Sequence, residues 1–279
     1  MKLSIKSFFK KKSLYPFFLH LFSPIGKRQR FIVSTFILTL LMLTSSFFSF
    51  DQALYFFILL LFCVYFFTFF SILEGIDRME WLMLFLVPAY FTLTFYFFYF
   101  FLPGRWLTRL PYVSLYAVSI YAILLSSNIF NVGATKNLQL FRAAFSVNFL
   151  YITLTFFLIS DLILSFSLYP IYNFIFFLLL LSPLVFQFLW SIDPRTDLKP
   201  DLKKYAFVIS LLIAEAALVF SFIPIKSTIL SLFLTALFYS LSGLFHAYIE
   251  NRLFRERVRE YIFVLIFVSI IILLSVQWG

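Results

Sequence analysis

The chain has 279 residues, of which 63% are hydrophobic and 23% aromatic, while only 12% are charged. A soluble domain carries about 25% charged residues, so this sequence has too little polar surface to face water. Soluble globular enzymes and disordered chains are both excluded, and an all-α polytopic transmembrane helical bundle is the fold class that remains. Lys and Arg exceed Asp and Glu by 22 to 12. In a membrane protein that excess is first a signal of orientation. No segment is long enough to fold into a basic face for nucleic acid, so nucleic acid is not expected as a partner.

Residues 1–30 form a basic segment expected on the cytoplasmic side. Within it, 14–23 is apolar but too short to span, and it lies between Lys10-Lys11-Lys12 and a second basic run containing Lys27, Arg28 and Arg30. An interfacial helix on the anionic inner leaflet fits this pattern, each nearby cation contributing about 1 kcal/mol. From residue 31 to 279 the chain predicts one transmembrane domain. A bilayer core about 30 Å thick needs roughly 20 helical residues. Nine runs approach or exceed that length: 31–50, 53–73, 81–102, 112–131, 145–168, 171–190, 205–223, 226–247 and 261–278.

With the N-terminus inside, 19 of the 22 basic residues fall on the cytoplasmic side, and only Arg105, Arg109 and Lys226 fall outside. That bias predicts a multi-pass protein of the cytoplasmic membrane, N-terminus in and C-terminus out. Between spans 8 and 9 there is no Gly or Pro, yet a straight helix would carry Arg252, Arg255, Arg257 and Arg259 into lipid. The charge alone therefore demands a turn. The charged 248–260 segment is also a candidate surface for a protein partner.

In lipid, helices associate through small residues that let backbones approach. Span 7 carries Ser210, Ala214, Ala217 and Ser221, and span 8 carries Ala236, Ser240, Gly243 and Ala247 at the same spacing. Each set makes one stripe on its helix, so spans 7 and 8 are expected to pack stripe to stripe as the tightest contact. Span 4, rich in Ser and Ala, is expected inside the bundle. Spans 2, 3, 6 and 9, rich in Phe, Leu, Ile and Tyr, are expected at its periphery.

Two acids fall within spans, where any ionisable residue is a functional candidate. Glu215, near the midplane, is expected as a neutral carboxyl bonded to a neighbouring helix, or as a proton- or cation-coupling site. Asp161, nearer the outer face, is expected to pair with Arg105, Arg109 or Lys226. On the inner side Asp193, Asp197 and Asp201 are spaced by four. Such carboxylates suit Mg²⁺ against a lipid diphosphate, although two prolines in the loop also fit an ordinary solvated turn. The lone cysteine, Cys63, cannot form an intrachain disulfide, and neither a metal centre nor a cofactor is expected from the spacing of His and Cys.

These features leave three classes of function. The favoured one is a non-enzymatic membrane component that binds lipid or partner proteins. The second is a secondary transporter or channel using Glu215, and the third a Mg-dependent enzyme acting on a lipid-linked substrate at the cytoplasmic rim.

Overall fold

The computed structural model describes residues 22, 25–48, 52–73, 81–102, 105–132, 138–194, 200–251 and 253–276. All regular structure among them is helical: α1 (Lys27–Ser45), α2 (Ala53–Ser71), α3 (Trp81–Tyr99), α4 (Trp106–Val132), α5 (Leu138–Ser165), α6 (Pro170–Ile192), α7 (Pro200–Phe220), α8 (Ser227–Ile249) and α9 (Arg255–Ser275). Six of these, α3, α4, α5, α6, α8 and α9, are long and apolar enough to cross a membrane. Nine spans are expected from the sequence. Of the other three helices, α1 opens on Lys27, Arg28 and Arg30, and α7 carries Asp201, Lys203, Lys204 and Glu215, while α2 holds no charged residue.

Local chemistry sets the breaks. Between α5 and α6 the chain reverses through Ser167, which takes the left-handed conformation at φ 49°, and Pro170 then starts α6. A proline suits the first helical turn because its missing N–H has no helical acceptor there. Further along α6, residues Phe177–Leu181 widen into a π-helical turn just before Ser182-Pro183. Pro183 cannot donate to the carbonyl four residues back and crowds it, and the wider turn relieves that clash. The charged connection between α8 and α9 breaks at Asn251, whose φ of 55° is again left-handed. Asn is the non-glycine residue that best tolerates this conformation at a helix end, so the turn forms without Gly or Pro.

At the centre lies α8, whose most extensive contacts are with α5 and α9. Aromatic rings fill the α5–α8 interface, where Phe156 stacks on Phe238 at 4.5 Å. The stripes on α7 and α8 are both packing faces, but each serves a different neighbour from the one expected. Ser210, Ala214 and Ala217 are buried, and α7 packs chiefly along the whole length of α6. On α8, Gly243 lies under the ring of Tyr261 from α9, and the Ser240 hydroxyl donates to the Tyr261 carbonyl at 3.3 Å. Of the remaining stripe residues, Ala236 and Ala247 are buried and Ser221 lies half-buried at the end of α7. The expected pairing of α7 with α8 as the tightest contact is therefore corrected. Periodicity gives the face of a helix, but it does not name the neighbour. α3 is a second correction: Phe91, Phe95 and Tyr96 are buried, and the helix sits inside the bundle rather than at its edge. α9 is mostly exposed, touching the rest through α8.

Deep between α5 and α6, Asn148 and Gln187 exchange two amide hydrogen bonds, at 3.3 and 3.4 Å, and both side chains are buried. Replacing either one by Leu should destabilise the protein by about 1–3 kcal/mol, because the surviving amide loses its partner. The Asn148→Leu/Gln187→Leu pair should cost less than the two single changes summed, as a thermal-melt cycle in detergent would measure. At the other interface, Gly243→Leu should lower stability by about 1–3 kcal/mol through overpacking against Tyr261. Adding Tyr261→Ala should recover part of that loss in the same assay.

Candidate functional site

A group of polar residues from α5, α6, α7 and α8 gathers at one end of the bundle. Asp161 lies one turn before the end of α5 and is buried at 8% exposure. The Ser231 hydroxyl of α8 is 3.4 Å from Asp161 Oδ1 and 2.9 Å from the Thr228 carbonyl. Its single proton serves one acceptor or the other, so Asp161 keeps accepting capacity. The neighbouring Ser160 Oγ is buried without a hydrogen-bond partner.

Toward the helix ends the seam opens into a cup of about 370 Å³ between the end of α5, the start of α6, the end of α7 and the start of α8. Its polar wall is made by Ser165, Ser167, Asn173, Ser221 and Ser227. Ser165 and Ser227 face each other at 3.5 Å across α5 and α8. Asn173 Nδ2 donates to Ser221 Oγ at 3.0 Å, which fixes the amide and leaves Asn173 Oδ1 buried with no partner. An acceptor left unpaired in this way costs about 1–3 kcal/mol unless a donor reaches it. Among its lining residues there is no Lys or Arg. Lys226 is exposed next to the wall residue Ser227. The cup thus offers acceptors to a hydrogen-bond donor, its serine hydroxyls can donate as well, and the nearest cation, Lys226, stands beside it.

A second hollow, about 420 Å³ and lined mainly by Phe149, Leu150, Leu154, Phe157 and Leu232, lies along the same α5–α8 seam. Along α5 the order is apolar groove, then Asp161, then polar cup. This arrangement matches a molecule with an apolar tail and a polar head more closely than a small solute.

The other candidates lie elsewhere. Glu215 is exposed on the outer face of α7, away from every neighbouring helix, and has no partner among the described residues. The carboxyl expected to bond a neighbour inside the bundle is therefore turned out of it. The expected ion pair of Asp161 with a rim cation is also absent among the described residues. Arg109 instead donates to Tyr99 at 2.7 Å and lies 4.8 Å over the Phe47 ring. Asp193 is half-buried at the end of α6, and Asp201 is exposed in the first turn of α7, 3.9 Å from Lys204. Asp197 lies outside the described residues, as do Lys10, Lys11, Lys12 and the 14–21 segment. Among the described residues no three His, Cys, Asp or Glu side chains cluster as a metal site.

Lys27 and Arg28 are exposed, but Arg30 is 2% exposed and buried in the bundle. It shares the inward face with Ser34 and Leu38, so it is not available to lipid headgroups as expected. In the 248–260 segment, Tyr248 and Ile249 end α8 and Arg255–Glu260 begin α9. The segment is thus a turn between two long helices rather than a separate element.

Sequence reasoning missed Asn173, Ser165, Ser167 and Ser227. The available signal was the gathering of Ser and Asn at four helix ends predicted on the same side, which no single window displays.

Residues 139–275 match a family described as protein of unknown function (DUF5656), a match that covers just under half of the chain. It runs from the first turn of α5 to the end of α9 and so contains the cup, Asp161, the apolar groove and Glu215, while α1–α4 lie outside it. No curated protein and no solved structure matches the chain.

Proposed function

We propose that the chain is a non-enzymatic, multi-pass component of the cytoplasmic membrane that holds a lipid by its headgroup. The observation that carries this reading is the unpaired buried acceptor of Asn173 in a polar cup above Asp161. Thr35, Thr68, Ser160 and Ser242 also carry buried hydroxyls without a partner among the described residues, but Asn173 is the one of these residues that lines the cup, where a donor from outside can reach its oxygen. The headgroup it suits carries an ammonium or hydroxyls, and Lys226 at the rim is placed for a lipid phosphate. One acyl chain would lie in the groove along Phe149, Leu150 and Phe157. Holding rather than cleaving fits the lining, whose polar residues are four serines and one asparagine.

All nine helices would span, with the N-terminus inside. The distribution of cations supports this orientation, and it puts the cup at the outer leaflet. On the inner side Lys10, Lys11, Lys12, Lys27 and Arg28 would engage anionic lipid, and the 248–260 turn remains the surface for a protein partner. Glu215 turns away from the helix interfaces, which speaks against its use as a coupling site between helices.

The test is native mass spectrometry of the protein exchanged into defined lipid. Phosphatidylethanolamine, whose ammonium donates hydrogen bonds, should be retained over phosphatidylcholine, whose ammonium is fully methylated. Asn173→Leu and Asp161→Asn should each reduce retention about tenfold, the equivalent of one good hydrogen bond to a charged group. Equal retention of both lipids, or no change in the two variants, would overturn the reading.

A further inference from the structure

The outward face of α7 poses a separate problem. Lys204, Val208, Leu212, Glu215, Val219 and Phe222 are all exposed. Their spacing alternates mainly between three and four residues, so they form one nearly straight seam on the helix. This is the spacing at which two helices pack in a left-handed pair crossing at about 20°. Among the described residues Glu215 is the one acid or base exposed in the middle of a helix. In lipid such a group is costly unless another helix supplies a partner.

We propose that this seam is covered by α7 of a second copy of the chain, with the two Glu215 carboxyls facing each other across a two-fold axis along the membrane normal. Copies inserted with the same orientation bring equal residues to equal depth, so each residue of the seam must be compatible with itself or with a neighbour. The α7 face meets that requirement at both polar points. A pair of facing carboxyls shares a proton, because two like charges at that separation do not both ionise. The shared proton gives each a hydrogen bond. At the membrane surface, Asp201 and Lys204 are 78% and 77% exposed and lie 3.9 Å apart on one helix. In the two-fold pair each can also reach the opposite charge of the partner. A foreign helix would have to bring a cation, hydroxyl or amide to the depth of Glu215, whereas the described helices of this chain expose no cation there, and a second copy supplies the matching carboxyl. Between the polar points Val208, Leu212, Val219 and Phe222 make an apolar strip with Ala216 half-buried beside it, which lets the backbones approach.

The test begins with cysteine crosslinking in native membranes, in a Cys63→Ser background. Leu212→Cys and Val219→Cys should each give a crosslinked dimer of this chain, while Val118→Cys, exposed on α4, should not. Dimerisation is then followed by single-molecule photobleaching in bilayers at varied protein density. Glu215→Leu should weaken the dimer about tenfold. Glu215→Gln should keep it, since a primary amide both donates and accepts. The substituted positions 118, 212, 215 and 219 are all exposed, and an unchanged melting temperature in detergent establishes that the variants fold. A Glu215→Gln variant as weak as Glu215→Leu would overturn the carboxyl pair and indicate a cationic partner instead. Absence of crosslinks at 212 and 219, crosslinks to another polypeptide, or a wild type that stays monomeric at every density would overturn the dimer.

Discussion

Inside a bilayer there is no water to complete a hydrogen bond, so every polar group must find its partner in the protein or beside it. That constraint organises this chain. The buried amides of Asn148 and Gln187 answer each other, and the buried phenol of Tyr116 meets the Thr92 hydroxyl at 2.9 Å. Many Ser and Thr hydroxyls in the helices return to carbonyls one turn back, as Thr155 does to Tyr151 and Ser210 to Ala206. Among the described residues the Thr35, Thr68, Ser160 and Ser242 hydroxyls also lack a partner, but two exceptions sit where an outside group can reach them: Asn173 Oδ1 at the edge of a cavity and Glu215 on an outer face.

Packing obeys the same economy of space. With six glycines and 45 phenylalanines, the helices are held apart by rings and approach closely only where small residues recur. Gly243 under Tyr261 is such a place, and the Ser210–Ala214–Ala217 face against α6 is another. The π turn in α6 follows from Pro183. It lies between Asn173, which walls the cup, and Gln187, which anchors the deep amide pair, so the proline sets the rotational offset between the two polar positions.

Much of the fold was legible from hydropathy. Runs of about 20 apolar residues locate the helices because a bilayer imposes that length, and the charged 250–254 region had to turn. What hydropathy leaves open is which neighbour a helix chooses. The stripes on α7 and α8 correctly mark inward faces, but complementary partners for small residues are bulky side chains such as Tyr261, found on other helices. The direction of Glu215 was readable in principle. At about 100° per residue it lies well off the arc defined by Ser210, Ala214, Ala217 and Ser221, so an inward stripe already turns Glu215 outward. Arg30 shows the opposite case: a basic residue near a span end reads as surface by charge alone, yet its helical phase matches buried Ser34 and Leu38. The cup is legible only when four helix ends are read together, since its walls come from chain segments up to about 60 residues apart.

The central claim is that the α5–α8 seam opens to the outer surface as a polar cup while the helix faces around it stay sealed. Thiol labelling with a membrane-impermeant maleimide, in a Cys63→Ser background, addresses it most directly. Added from outside, the reagent should modify Ser165→Cys and Ser227→Cys and leave Ala214→Cys, on the sealed α6–α7 face, unmodified. Protection of both cup positions from that side, or their modification only from the cytoplasmic side, would contradict the account.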